Sequence, residues 1–365
     1  MTKKTLLFVA AISGCCFFPS FSRAGSWVEV SPPVVASSGI TGIAVVNDSD
    51  VWAIGSFGAT NQMTLTEHWD GTSWSIVPSP NPDPTSSILT GVAALATNDV
   101  WAVGYGVHGD WKTIILHWDG TTWSVVPSPN LTNFDNFLEA VSTISPTDIW
   151  AVGYTDTPSG AHHFQPLALH WDGATWSTVQ APFSGGTSIF AVHAIASNDV
   201  WAVGFDHEGQ NFSASTTYTM HWDGTTWSTV PSPNSSFALN QLAGVAGASS
   251  SDVWAVGGTG PDFSSENPLV LHWDGSTWSI VTTPSLTGSS GFRAVLANST
   301  NNVWAVGTTD GQALAERWNG RRWAVAPLPA LQNPSDLFAI SAGRMHSLWT
   351  TGAQATGQLF LKMAP

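Results

Sequence analysis

Two series of aspartates and one of histidines are the first residues in this chain that could do chemistry. Asp50, Asp99, Asp148, Asp199 and Asp252 each stand one residue ahead of a Val-Trp or Ile-Trp pair. Asp70, Asp119, Asp172, Asp223 and Asp274 each sit in a Trp-Asp-Gly triplet, and His68, His117, His170, His221 and His272 precede those triplets. Paired carboxylates are the apparatus of general acid–base catalysis and of glycoside cleavage. Imidazole with carboxylate is also a common metal-ligand set. The spacing argues against both uses. Each series recurs once per repeat, whereas a catalytic pair or a bound ion is needed once. The aspartates read as turn caps, since Asp side chains bond their own backbone at turns. The histidines belong to separate units, too far apart to share an ion, and read as packing or hydrogen-bonding groups. No catalytic residue, metal or cofactor is assigned.

The elements carrying these residues repeat down the whole chain. The leading Trp of each unit falls at Trp52, Trp101, Trp150, Trp201, Trp254 and Trp304, with a degenerate copy at Trp349, in steps of 45–53 residues. A period near 50 built from short strands is the mark of a propeller-type array. In the second unit, Leu89 to Leu95 is a run of small and β-compatible residues, and Thr97-Asn98-Asp99 is turn chemistry. Val100 to Tyr105 and Thr113 to Trp118 read as second and third strands. Asp119-Gly120 is a hairpin signal into a fourth strand, Thr122 to Val126, which Pro127 ends. Four strands make one blade. Glycine and alanine dominate first strands and Trp the later ones, as a wedge crowded at the axis requires.

Six units are complete, and the seventh lacks its Trp-containing fourth strand. Ser26-Trp27-Val28-Glu29-Val30-Ser31-Pro32, near the start of the chain, matches that missing strand. The expected fold is therefore all-β: a seven-bladed β-propeller of four-stranded antiparallel blades, closed by the N-terminal strand completing the last blade.

Val253-Trp254-Ala255-Val256-Gly257-Gly258, with Trp273-Asp274 and Trp278, resembles the kelch repeat, the seven-bladed fold of galactose oxidase's central domain. The Asp-Gly-x-x-Trp hairpins are similar to the Asp-box of sialidase-like propellers. The enzymes of these families find no counterpart here. Galactose oxidase-like chemistry needs a Cys-linked Tyr at copper, yet both cysteines, Cys15 and Cys16, lie in the leader, and the tyrosines are Tyr105, Tyr154 and Tyr218. Sialidase-like chemistry needs three converging arginines, and the first five units contain none.

The chain opens with Lys3-Lys4, an apolar run from Leu6 to Phe18, and Ser22-Arg23-Ala24, the pattern of a secretory signal cleaved after Ala24. The expected organisation is a signal peptide over 1–24 and one propeller domain over 25–365, secreted, periplasmic or at the cell surface. A competing reading takes Ile12-Ser13-Gly14-Cys15 as a lipoprotein box that anchors Cys15 to lipid. No later stretch is long enough to span a membrane. The net charge of −15, with 10 basic against 25 acidic residues, excludes nucleic acid as a partner. A monomer is expected.

Function is expected on the loops that do not repeat, which a propeller gathers on one face. They hold Asp110-Trp111, Phe134-Asp135, His162-His163-Phe164, Asp206-His207-Glu208 and Asp262-Phe263, with Glu266 nearby. Trp111 is the one Trp outside the repeated positions. Glu139 and Arg293 precede the small residue of their first strands and stand near the channel mouth. Exposed aromatics beside carboxylates suit sugars, through ring stacking and hydrogen bonds. The chain reads as an exported, non-catalytic binding protein for carbohydrate or a protein partner. Alternatives are a glycan-active hydrolase or lyase and a structural cell-surface module.

Overall fold

The computed structural model describes residues 25–157, 164–183, 185–207, 213–262, 264–343 and 347–364. They form seven four-stranded antiparallel sheets. Six follow chain order: residues 38–76, 86–125, 135–178, 187–229, 239–280 and 290–325, blades 1 to 6. Blade 7 takes three strands from residues 335–363 and its outer strand, Trp27–Glu29, from the start of the chain. The expected closure is what the sheet order shows. No helix among the described residues is long and apolar enough to cross a membrane.

Blade 2 shows why the sequence folds this way. Its strands are Ser86–Ala96, Asp99–His108, Asp110–Trp118 and Trp123–Val125. Val100, Trp101, Ala102 and Val103 are all buried, because both faces of the second strand are covered by neighbouring blades. That explains a continuous apolar run where a half-exposed strand would alternate. Each inner strand also carries a register shift, in blade 2 between Leu89 and Gly91. Such a β-bulge bends the strand and re-aims one side chain, here Thr90. The bulge brings the inner backbone so close to Gly104 that a Cβ there would overlap the Ile88 carbonyl. Every second strand keeps Gly at this site for the same reason.

Trp triads join the blades. Trp201 of blade 4 meets Trp273 and Trp278 of blade 5 at centroid distances of 4.9 and 5.2 Å. Trp52 meets Trp118 and Trp123 of blade 2 at 4.8 and 5.3 Å. At the closing blade Trp27 stands edge-on to Trp304 of blade 6 at 5.6 Å, and Trp349 meets Trp69 and Trp74 of blade 1 at 5.3 and 5.5 Å.

The hairpin aspartates are turn caps. Asp119 Oδ1 accepts from the Thr121 and Thr122 amides at 2.8 Å and from the Thr121 hydroxyl at 2.7 Å. These bonds hold the carboxyls of Asp70, Asp119, Asp223 and Asp274 down at about 2. The aspartates that open second strands differ from the expectation. They accept from the recurring histidines instead of capping turns, with His68 Nε2 donating to Asp50 Oδ1 at 2.8 Å and His117 Nε2 to Asp99 Oδ1 at 2.9 Å. The third strand lies antiparallel beside the second, so Trp52 pairs with His68 in register and carries its imidazole to the carboxylate. In blade 6 Arg317 and Asn302 replace this pair, with Arg317 Nε donating at 3.0 Å. Among the described residues no group of three His, Cys, Asp or Glu is placed to hold a metal ion.

Candidate functional site

Three positions per blade line the channel at the end away from the repeated turns. One is the bulge residue: Thr41, Thr90, Glu139, Phe190, Ala243, Arg293 and Phe338, from blade 1 to blade 7. The other two are a cross-strand pair just beyond it. Around the ring these pairs are Gly39/Ser56, Ile88/Tyr105, Phe137/Tyr154, Ser188/Phe205, Gln241/Gly258, Gly291/Thr308 and Asp336/Ala353. The scaffold fixes the backbone at all of them, so their side chains are free to vary.

They vary by sector. Blades 2 to 4 form an aromatic arc. Trp111 lies 5.3 Å from Tyr105 and 5.6 Å from Phe137, and Phe137 stacks on Tyr154 at 5.0 Å. Tyr154 meets Phe164 at 5.5 Å and Phe190 at 5.8 Å, and Phe190 stacks on Phe205 at 5.0 Å. Burial raises Tyr105 to about 12, and the nearby Glu139 charge adds to the rise. It raises Tyr154 further still, so both phenols stay neutral donors at physiological pH.

Blades 5 to 7 are small and polar at the cross-strand pairs, and Phe338 of blade 7 is their one aromatic bulge residue. Glu266, from the segment before the third strand of blade 5, leans across the space that Gly258 and Gly291 leave open, where a Cβ on either would overlap its carboxylate. Gly258 is the second glycine of the Gly257-Gly258 pair, so the one paired-glycine blade is the one that houses this carboxylate. Arg293 Nη2 approaches Glu266 Oε2 at 3.9 Å. Burial raises Glu266, opposed by Arg293, and raises Asp336 in the same sector.

Two cavities open at this mouth, the first between the sectors and the second within blades 5 to 7. One of about 500 Å³ runs from Tyr154, Phe164, Phe190, Phe205 and His207 to Gln241, Glu266, Phe292 and Arg293. A second, of about 430 Å³, continues from Glu266 and Arg293 to Asp336 and Gln354. Below them the channel holds a further 240 Å³, about the bulge residues. Arg293 borders all three.

The structure brings Glu139, His207 and Arg293 of the expected site residues to this mouth. Burial lowers His207, so its imidazole stays neutral. Asp206 is next to His207, opposite Thr187 in register. Asp110 and Trp111 are not in a loop. They begin the third strand of blade 2, because Gly109, at φ +86°, turns the chain so tightly that His108 pairs with Asp110. Asp110 forms an exposed ion pair with Lys112 at 3.5 Å. Asp135 opens the inner strand of blade 3, and its Oδ1 accepts from the Trp111 amide at 3.0 Å, so it positions the Trp111 backbone. Phe134 is half-buried, and its carbonyl accepts from Asn136 Nδ2 at 2.7 Å. His162, His163, Glu208 and Phe263 lie outside the described residues. Asp262 caps its own turn, its Oδ1 accepting from the Ser264 amide at 2.9 Å.

Sequence reasoning passed over Tyr105, Phe137, Tyr154, Phe190, Phe205, Gln241 and Asp336, because it looked for function in loops and these lie within strands. The signal was present. In aligned repeats, the residue after the second-strand glycine reads Ser56, Tyr105, Tyr154, Phe205, Gly258, Thr308 and Ala353, varying beside invariant neighbours.

No protein-family model matches the chain, and no curated protein matches it by sequence. Solved structures match it by fold. YCF48 bound to a D1 peptide is 16% identical, with 95% of this chain and 99% of that one covered, at a TM-score of 0.59. A streptogramin B lyase is 15% identical over 94% and 98%, at 0.64. The WD40 β-propeller domain of Doa1 is 11% identical over 94% and 97%, at 0.58. Likeness at these identities establishes the propeller fold of this chain and nothing finer.

Proposed function

We propose that the protein is a non-catalytic binding protein that takes a polypeptide segment of a partner across the variable mouth of its channel. The observation that carries this is the 500 Å³ cavity with aromatic rings along one wall and the Glu266–Arg293 pair along the other. Such a cleft offers apolar burial to side chains and a few convergent polar groups to fix orientation. A neighbour by fold, YCF48, is described as bound to a D1 peptide, which supports a peptide as ligand for a propeller of this build. Carbohydrate is the second reading, and Trp111, half-buried at the outer end of the arc beside Asp110, favours it. The inner rings favour it less. They pack on one another edge-on, tilted or stacked, at centroid distances of 5.0–5.8 Å, and leave few open faces for a sugar.

The same proposal holds that the repeats are kelch- or Asp-box-like, which the Asp-capped hairpins support. It also holds that the protein acts after export and as a monomer. Mass spectrometry of the mature protein is expected to find Gly25 or a close neighbour at the amino terminus. A lipid-modified Cys15 would replace free export with attachment to a membrane surface.

A random peptide display library and a panel of polysaccharides test the binding reading. Selected peptides are expected to lose about 1–3 kcal/mol of affinity on Phe190→Ala and on Arg293→Ala, with the melting temperature little changed. Polysaccharide binding with no peptide selected overturns the reading.

A further inference from the structure

We infer that the bound segment carries a basic side chain, which seats at Glu139 among the rings of blades 3 and 4. This rests on the peptide-binding reading above and adds to it the charge of the ligand. Glu139 is the one carboxylate among the seven bulge residues, in a tier otherwise built of Thr, Phe, Ala and a single Arg. Its side chain is half-buried, and among the described residues it has no hydrogen-bond donor and no ion-pair partner. Arg293, the one cation of that tier, is engaged by Glu266. The groups around Glu139 are aromatic. Tyr105 and Tyr154 both feel its charge, Phe137 stands two residues before it on the same strand, and Phe190 holds the bulge position of the next blade.

A carboxylate held in this way selects among ligand charges. An anionic side chain would be repelled, and a neutral one would leave the carboxylate desolvated and unpaired. A cation gains from the carboxylate, and the aliphatic stem that carries it packs against the rings beside Glu139. Burial raises Glu139 to about 7, as expected of a group whose partner comes with the ligand. Glu266 and Asp336 leave the mouth acidic against Arg293 alone, and the charge of −15 steers cations toward the protein.

The experiment is calorimetric titration of the full mature chain with tetralysine at pH 8, against Nε-acetylated tetralysine and a chitosan tetramer. Because an acidic protein attracts polycations generally, the variants carry the test. Glu139→Gln removes the charge, and Glu139→Thr installs the residue that blades 1 and 2 already accept there, Thr41 and Thr90. Asp119→Asn removes one charge from the opposite face, where Asn319 is the equivalent residue of blade 6. Tetralysine is expected to bind the parent and Asp119→Asn alike and both Glu139 variants about tenfold more weakly, with the acetylated probe weak throughout. Equal loss in Glu139→Thr and Asp119→Asn, or equal binding of the acetylated probe, overturns the inference. So does binding of the chitosan tetramer with no peptide bound. If display selects peptides without basic residues that still depend on Phe190, the binding reading stands and this inference fails.

Discussion

Removal of residues 25–32 is expected to open the ring and destabilise it severely. Those residues supply the outer strand of blade 7, with Trp27, Val28 and Glu29 opposite Met363, Lys362 and Leu361. Two further backbone bonds flank the strand: Val30 N–H to the Phe360 carbonyl at 2.9 Å and Ala364 N–H to the Ser26 carbonyl at 2.8 Å. Gln354 Nε2 donates to Glu29 Oε1 at 2.7 Å. Trp27 is only 5% exposed and fills the place that third- and outer-strand Trp rings take in other blades. Losing that ring alone costs about 3–5 kcal/mol. Folded domains are as a rule stabilised by only about 5–15 kcal/mol in all. Truncation also exposes the edge of the strand Gly357–Met363 to pairing with other chains. The truncated protein is expected to aggregate on light scattering and to melt well below the mature form. Trp27→Ala, a milder version, should lower stability by about 3–5 kcal/mol in denaturant titration while leaving a soluble ring. An unchanged melting temperature for the truncated chain would show that blade 7 closes without this strand.

Glu316→Leu is expected to stabilise the protein, and the gain should grow between about pH 4.5 and 7. Glu67 and Glu316 occupy a third-strand position filled by Leu116, Leu169, Met220, Leu271 and Leu361 in the other blades. Both are fully buried. Gln358 Nε2 donates to Glu67 Oε1 at 3.0 Å, whereas neither oxygen of Glu316 has a partner among the described residues. Desolvation raises both carboxyls to about 7. The native protein therefore holds these protons up to about pH 7, whereas the unfolded chain releases them near 4.5. Below 4.5 both states are protonated and there is no penalty. Stability falls as pH rises from about 4.5 to 7 and is level beyond. The hairpin aspartates act in the opposite direction. Held at about 2 in the native protein, they stabilise it above the unfolded Asp value near 3.8, and that stability is lost as pH falls toward 2. Stability should thus be greatest near pH 4–5. At pH 8, Glu316→Leu should add about 1–3 kcal/mol, the cost of an unpaired buried polar group. Urea titrations across pH check this. A variant whose stability follows the same pH curve as the parent would mean that Glu316 is ionised and solvated in the native protein.

The two-sided burial of the second strands, the Trp triads, the glycine under each bulge and the Asp-capped hairpins were legible as repeated letters. Each answers a requirement that recurs once per blade, so the sequence states it again at each turn. The blade count and the closing strand followed from the same regularity, since a unit missing Trp-Ser at one end and present at the other can be matched by eye. By itself, then, the sequence determined the architecture. Local spacing could not show that the strand aspartates serve the histidines, because His68 and Asp50 are 18 residues apart and meet only in strand register. It also misplaced Asp110 and Trp111, where one left-handed glycine replaced an expected loop. The site is a matter of tertiary structure almost wholly. Phe137, Phe190, Glu266, Arg293 and Asp336 come from five different blades. Each is an exception to the repeat: Arg293 and Glu266 stood out as charges among neutral or variable positions, but nothing local showed that they meet Phe137, Phe190 and Asp336. Ring closure alone brings such exceptions to one mouth, and burial there, in the company that closure chooses, decides which carboxylates keep their protons and which rings stand beside them.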